Sequence, residues 1–349
     1  MIAAPFPVSD PGGSPLPIAP GGQRVRSDLV AAMDVGGTSI KAGLVAADGT
    51  VVREARRPTG AEGGVPAVID RILGFAADLV AGEQVKAIGI GVPGIVDSAA
   101  GIARYAANLG WRDVPIVQLL TERVGLPVVL GHDVRLGALA EARVGAGVGA
   151  ASMYFIAIGT GIAGGQVTGG AVDNGATGQA GEVGHLVVRP GGRLCNCGNH
   201  GCLETVSSAS RIGQSYSLLR GTDASSTSAR EVAELMQAGD PIAIQVWDDA
   251  IAALADALAA VTVLTDPGRI VLGGGLSLAG ELLTDPLAEA LASRMTFRSP
   301  PPIAVTQLGD RAGLAGAAIL AWDHLRHQPS TLGESMSAVA AGEGGTADD

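Results

Sequence analysis

Apolar positions along the chain fall in short runs that glycines punctuate. Leu29-Val30-Ala31-Ala32-Met33 is unbroken, the pattern of a strand covered on both faces. A Gly-Gly turn follows, and Ile40 to Val45 reads as a second strand. Asp48-Gly49 is a strong hairpin signal, with Val51 to Ala55 as the returning strand. Helical spacing of apolar residues predicts a helix over about Gly64 to Ala81. Ala87 to Val92 predicts a buried strand ending at Pro93-Gly94. Leu126 to Leu130 predicts another, closed by Gly131-His132-Asp133 before a helical stretch from Val134 to Ala142.

The same grammar returns further on. Met153 to Ile158 reads as a strand, Gly159-Thr160-Gly161 as a tight turn and Ile162 to Thr168 as a strand. Arg269 to Leu272 is a strand that stops at Gly273-Gly274-Gly275. Strand, glycine turn, strand near residue 34 and again near residue 159 is a weak internal repeat. It predicts two related halves with a cleft between them, of α/β class, with helices outside mixed sheets.

Composition narrows the class. The chain has 349 residues, 47% hydrophobic and 16% charged, enough for one large core or two ordinary ones. No apolar run approaches the roughly 20 residues of a membrane helix, so no membrane partner is expected. The Ala-rich stretch Ala250 to Leu264 contains Asp256 and reads as a buried helix. Residues 1–27, rich in Pro and Gly, lack a basic start and apolar core; they read as a disordered leader, not a secretory signal. Residues 328–349, rich in Ser, Gly and Ala, read as a disordered tail. The tail carries Glu334, Glu343, Asp348 and Asp349 without a basic residue. The net charge of −11 argues against broad nucleic-acid binding.

Candidate chemistry gathers at the turns. In Asp34-Val35-Gly36-Gly37-Thr38 the glycines allow close approach of backbone amides to a phosphate, and the Thr38 hydroxyl adds a donor. Asp34 cannot donate to phosphate and suits a metal ion or its waters; Lys41 follows. Alone, this segment reads as well as an ordinary hairpin. Gly159-Thr160-Gly161 and Gly273-Gly274-Gly275 repeat the chemistry, and a triphosphate needs donors along its length. Neither a Walker loop nor a dinucleotide fingerprint is present. Asp133, at a strand end, suits a general base, although taken by itself it reads as a helix cap. Asn108 could bond a polyol, and taken by itself reads as a turn residue; Trp111 reads as packing.

Three cysteines are the chain's whole complement, within Cys195-Asn196-Cys197-Gly198-Asn199-His200-Gly201-Cys202. Such spacing on a glycine-rich turn points to metal ligands, and an odd number argues against disulfides. Clustered thiols of this kind fit a reducing, cytoplasmic setting. Either His200 or His185 could complete a closed tetrahedral site; spacing does not choose.

Together these residues resemble the ROK family, sugar kinases of the actin-like ATPase (ribonuclease H-like) fold, over about Asp28 to Leu325. The zinc-containing, glucokinase-like members are the nearest in kind. Cys195 to Glu204 fits the family's C-x-C-G-x-x-G-C-x-E, and Glu182-Val183-Gly184-His185 fits its E-x-G-H. The resemblance implies two α/β domains flanking a cleft: a small domain over 28–133, joined by a C-terminal helix over 312–325, and a large domain over 134–311 with the zinc loop. It makes His185 the preferred fourth ligand of a structural Zn2+ with Cys195, Cys197 and Cys202. It implies Asp133 as the catalytic base, sugar contacts from Asn108, His132, Asp133, Glu182, His185 and Glu204, and ATP with Mg2+ at Asp34, Gly36, Gly37, Thr38, Lys41, Gly159, Thr160, Gly161, Gly273, Gly274 and Gly275. One departure is plain: the family commonly reads Asn-Asp-Ala-Asn where this chain has His132-Asp133-Val134-Arg135.

The implied function is ATP-dependent phosphorylation of a hexose in carbohydrate metabolism, glucose first. N-acetylglucosamine, N-acetylmannosamine, mannose and fructose are the rival acceptors. From another class the rivals are a sugar-sensing regulator and a non-catalytic sugar-binding protein. Family regulators carry a helix-turn-helix domain ahead of this part, and 27 residues are too few for one. A homo-oligomer, dimer or tetramer, is implied by resemblance only.

Overall fold

The computed structural model describes residues 28–224 and 226–327. The expected leader and tail lie outside the described residues.

The first half builds around β1 (Leu29–Val35), β2 (Ser39–Ala46) and β3 (Val51–Pro58), an antiparallel meander. α1 (Gly64–Val80) leads to β4 (Val85–Val92), which pairs parallel with β1. Next come β5 (Ile95–Asp97), β6 (Ile102–Ala106) and β7 (Trp111–Val114), a separate three-stranded antiparallel sheet. α2 (Ile116–Val124) precedes β8 (Val128–His132), parallel to β4, and α3 (Asp133–Val144) follows directly.

The second half repeats the plan. β9 (Ser152–Ile158), β10 (Ile162–Thr168) and β11 (Ala171–Val172) form its meander. A loop holding the cysteines leads to α4 (Glu204–Ser207), α5 (Ala209–Arg220), α6 (Ala229–Gln237) and α7 (Pro241–Thr265). β12 (Ile270–Gly273), α8 (Glu281–Arg294), β13 (Ile303–Val305) and α9 (Ala312–His327) complete it. The two large sheets have orders β3-β2-β1-β4-β8 and β11-β10-β9-β12-β13. Each is three antiparallel strands followed by two parallel ones, so the repeat seen in the glycine turns is a repeat of topology.

Burial explains the unbroken apolar runs. On β1, Leu29, Ala31, Met33 and Val35 face a core shared with α1 and α2, while Val30 and Ala32 face one shared with α3 and α9. A strand covered on both faces has no polar side to show. β3 is the opposite case: an edge strand whose Arg53, Arg56 and Arg57 blunt further pairing.

α3 lies between the halves. Leu136 and Leu139 pack with Leu314 and Ala318 of α9 against the first sheet, while Ala138 packs with Phe155 and Val271 of the second. Its buried Glu141 accepts from the amides of Ala146 (2.7 Å) and Leu308 (2.9 Å) and from the Thr306 hydroxyl. One carboxylate therefore ties down both the segment leaving α3 and the segment entering α9. In α7, Asp256 is held by Arg189 (2.9 Å) and Arg294 (2.6 Å), which is how the apolar helix carries a charge. Among the described residues no helix is long and apolar enough to cross a membrane.

Candidate active site and metal-ligand cluster

The C-terminal end of β1 presents Asp34, and β2 returns Lys41 beside it. The Lys41 ammonium stands 3.6 Å from Asp34 Oδ2 and 3.6 Å from Asp310 Oδ2, and it also donates to the Asp310 carbonyl. The intervening turn closes by a bond from the Gly36 amide to the Ser39 carbonyl (2.9 Å) and is braced by Thr59, whose hydroxyl donates to the Gly36 carbonyl (2.6 Å). Asn108, on the β6–β7 turn, lies against this segment; a Cβ on Gly37 would sit 3.0 Å from its Nδ2.

Asp133 opens α3, immediately after β8. His132 occupies the cap position and caps nothing; the Asp133 carboxylate accepts only the adjacent Val134 amide (2.7 Å) among the described bonds. The capping role that Asp133 suggests on its own is therefore not the one observed. Asp34, Lys41, Asp133, Gly274 and Asp310 all line one cavity of ≈ 170 Å³. Burial raises the Asp133 carboxyl to about 6, against the opposing pull of the Val134 amide and the Arg135 charge. Burial also raises Asp34 to about 6, followed by the charge of Asp133, while Lys41 pulls it down. Two carboxylates that resist ionisation, facing one small cavity, are poised for a cation and a proton.

His132 is buried, 3.2 Å from Asp133 Oδ1 through Nδ1 and 3.9 Å from Glu182 Oε1 through Nε2. Burial, then the Arg135 charge, lowers it to about 4, so the imidazole is neutral at physiological pH. Glu204, at the start of α4, accepts the Ile162 amide (2.9 Å) with Oε2, so it sits on the Gly159–Gly161 turn. That turn is held from the far side by α5, through the Ala209 amide on the Gly159 carbonyl (2.8 Å) and the Ser210 hydroxyl on the Thr160 carbonyl (2.8 Å). Gly273-Gly274-Gly275 comes alongside. Gly274 has φ 77°, and a Cβ there would lie 2.5 Å from the Ile158 carbonyl oxygen, so only glycine permits the approach. Beyond Gly275 a second cavity, ≈ 520 Å³, is lined by Ala233, Gln237, Leu276, Ala279 and Leu282.

The cysteine loop forms a compact cluster. One ligand atom each from His185, Cys195, Cys197 and Cys202 lies within 4.8 Å of all the others. Cys195 Sγ is 3.6 Å from His185 Nδ1, and Cys197 Sγ is 3.7 Å from Cys202 Sγ. A tetrahedron with bonds of about 2.3 Å has edges of about 3.8 Å, close to these two separations. His200 is outside the cluster; its backbone bridges Leu194 instead. Burial, then the neighbouring thiols, pushes Cys202 up to about 12, so a cation would be needed to hold it as a thiolate near neutral pH.

The arrangement thus brings Asp34, Lys41, Asp133 and Gly274 around one cavity, His132 beside Asp133 with Glu182 on its other side, and His185 with the cysteines. Sequence reasoning overlooked Asp310 and Thr59, and marked Arg135 only as a departure from the family pattern. A turn signal, Leu308-Gly309-Asp310 ahead of a helix, marked the first; Thr59 carries no local signal.

The ROK family model matches residues 30–324. The chain belongs to the ROK family. Among ROK relatives, a glucokinase of Thermotoga maritima is 35% identical over 82% of this chain and 95% of its own length. The ROK hexokinase of Thermus thermophilus has the same fold, with a TM-score of 0.76 at 36% identity over 85% of this chain and 99% of its own. A ROK glucokinase of Streptomyces griseus, solved with glucose and AMPPNP, gives 0.75 at 31% identity, over 84% and 99%.

Proposed function

We propose that this ROK protein is an ATP-dependent sugar kinase that phosphorylates glucose. The observation that carries the reading is the single cavity shared by Asp133, Asp34, Lys41 and the Gly274 turn. In this reading Asp133 is the base, Asp34 the cation-holding carboxylate and the Gly274 turn one source of phosphate-binding amides. The glucokinase relatives support ATP as donor and glucose as acceptor.

In this reading the sugar lies against Asn108, His132, Glu182 and Glu204, with its 6-hydroxyl at Asp133. The carboxylate takes the hydroxyl proton as the oxygen bonds to the γ-phosphorus; the bond from that phosphorus to the bridging oxygen breaks and ADP leaves. A carboxyl near 6 is mostly ionised at neutral pH yet a better proton acceptor than an exposed one. Asp34 would hold Mg2+ or its waters, and an ion there would supply positive charge for the phosphates. Lys41 keeps Asp34 oriented, and amides of the Gly36–Thr38, Gly159–Gly161 and Gly273–Gly275 turns receive the phosphates. The nucleotide base takes the larger apolar cavity past Gly275. His185, Cys195, Cys197 and Cys202 would hold a structural Zn2+, which would orient the His185 ring beside the sugar. The small domain over 28–133 and the larger over 134–311 close on the cleft about the two segments that Glu141 ties.

The residue departures at 132 and 135 bear on acceptor identity, so the test is ADP release with ATP, Mg2+ and a panel of sugars. Glucose-dependent release supports the reading. Release only with N-acetylglucosamine, N-acetylmannosamine, mannose or fructose moves the acceptor, and sugar binding without release makes the protein a sensor.

A further inference from the structure

Asp133 and Glu182 come from different elements: Asp133 opens α3, and Glu182 follows the loop after β11. A side chain connects them. Arg135 is 1% exposed, two residues along α3 from Asp133. Its Nη1 donates to the Ala180 carbonyl (2.9 Å) and its Nη2 to the Gly178 carbonyl (2.8 Å). Two parallel bonds from a planar fork fix both the place and the direction of the chain at 178–180. The Gly181 carbonyl then accepts the amide of Gly164 on β10 (2.7 Å), and Glu182 comes next. Three residues further stands His185 of the metal-ligand cluster.

Both hydrogen bonds of this buried guanidinium go to neutral carbonyls, while the nearby carboxylates of Glu182, Asp133 and Asp173 offset its charge through the field, so the two bonds serve to fix position more than to neutralise it. Its value lies in geometry. We propose that Arg135 is a positioning residue for the sugar pocket: it fixes Glu182 relative to Asp133 and so sets where the acceptor hydroxyl meets the base. The proposal rests on the kinase reading, with Asp133 as base and Glu182 as sugar contact. Lysine keeps the charge but offers one compact ammonium that cannot reproduce the fork.

Arg135 has an electrostatic consequence as well. The charged and titratable groups around Asp133 are His132, which is neutral, Asp34 with Lys41 and Asp310 beyond it, Glu182 on the far side of His132, and Arg135. Arg135 favours the ionised form of Asp133. Removing its charge raises the carboxyl further, so the base loses its proton only at higher pH, and the acid limb of kcat moves up.

The test uses the full chain, with R135K, R135M and D133N assayed against glucose and ATP, and urea unfolding as the check on folding. R135K is expected to raise the glucose KM by roughly tenfold or more, leave the ATP KM within about twofold and keep the acid limb in place. R135M is expected to raise the glucose KM similarly and to shift the acid limb to higher pH. A wild-type glucose KM in R135K, or equal rises in both KM values, would overturn the proposal; R135K decides alone should R135M not fold. Retained turnover in D133N would instead sink the base assignment, which is read from kcat and not from the glucose KM.

Discussion

Replacing Asp34 by Asn should make the protein more stable and less active, and the stability gain should depend on pH. Asp34 is 16% exposed, and burial with the nearby Asp133 raises its carboxyl from 3.8 to about 6. The folded state therefore disfavours the ionised form. A carboxyl raised on folding adds stability below its unfolded value, and that contribution is lost as pH rises through its folded value. Two units correspond to about 3 kcal/mol of penalty at pH 8, where the group is ionised both folded and unfolded. At pH 4.5 about 1 kcal/mol remains. Asn carries no charge at either pH. Urea unfolding of D34N against wild type, without nucleotide or Mg2+, should show the variant ahead by about 2–3 kcal/mol at pH 8, with the lead shrinking by about 2 kcal/mol at pH 4.5. Lys41 retains Asp310 as a partner, so the substitution does not strand its charge. Activity should fall with loss of the carboxylate proposed to hold the cation, a trade of stability for function. A D34N that is less stable at pH 8, or whose lead does not change with pH, would refute the reasoning.

Two further outcomes follow from named contacts. Cys197→Ser removes one of four donors in the cluster, so metal analysis should find roughly one Zn2+ per chain in purified wild type and a clear loss in the variant, with weaker glucose binding by calorimetry. Wild-type metal content in the variant would disprove the ligand set. Glu141→Ala leaves the amides of Ala146 and Leu308 and the Thr306 hydroxyl without their acceptor in a buried site, which should cost about 3–5 kcal/mol in urea unfolding; a loss under about 1 kcal/mol would show that the tie between the two segments carries no weight.

What the sequence made legible was local. β1, the Asp48-Gly49 hairpin and the turns at Gly36 and Gly159 announce themselves through period and glycine placement, and β10 runs over the residues the pattern marks. The cysteine cluster was legible as a candidate metal site, while the choice of His185 over His200 needed either resemblance or coordinates. The β5–β7 sheet escaped because its strands, such as Ile95–Asp97, are too short to show alternation. β8 reaches His132, two residues past the apolar run, since pairing with Val92 of β4 carries it on. The role of Arg135 escaped because its partners lie more than forty residues away, at Gly178 and Ala180. Glu141 reads as a charged helix position until the chain returns at Thr306 to surround it. Such roles are set by tertiary contact, which local periodicity does not encode.

The central claim is that Asp133 takes the proton of a sugar hydroxyl during transfer from ATP. The direct measurement is glucose-dependent ADP release by wild type and Asp133→Asn under saturating ATP, Mg2+ and glucose. Asn preserves shape and cannot accept the proton, so kcat should fall by roughly a hundredfold or more while glucose still binds. Turnover of the variant within a few-fold of wild type would contradict the account.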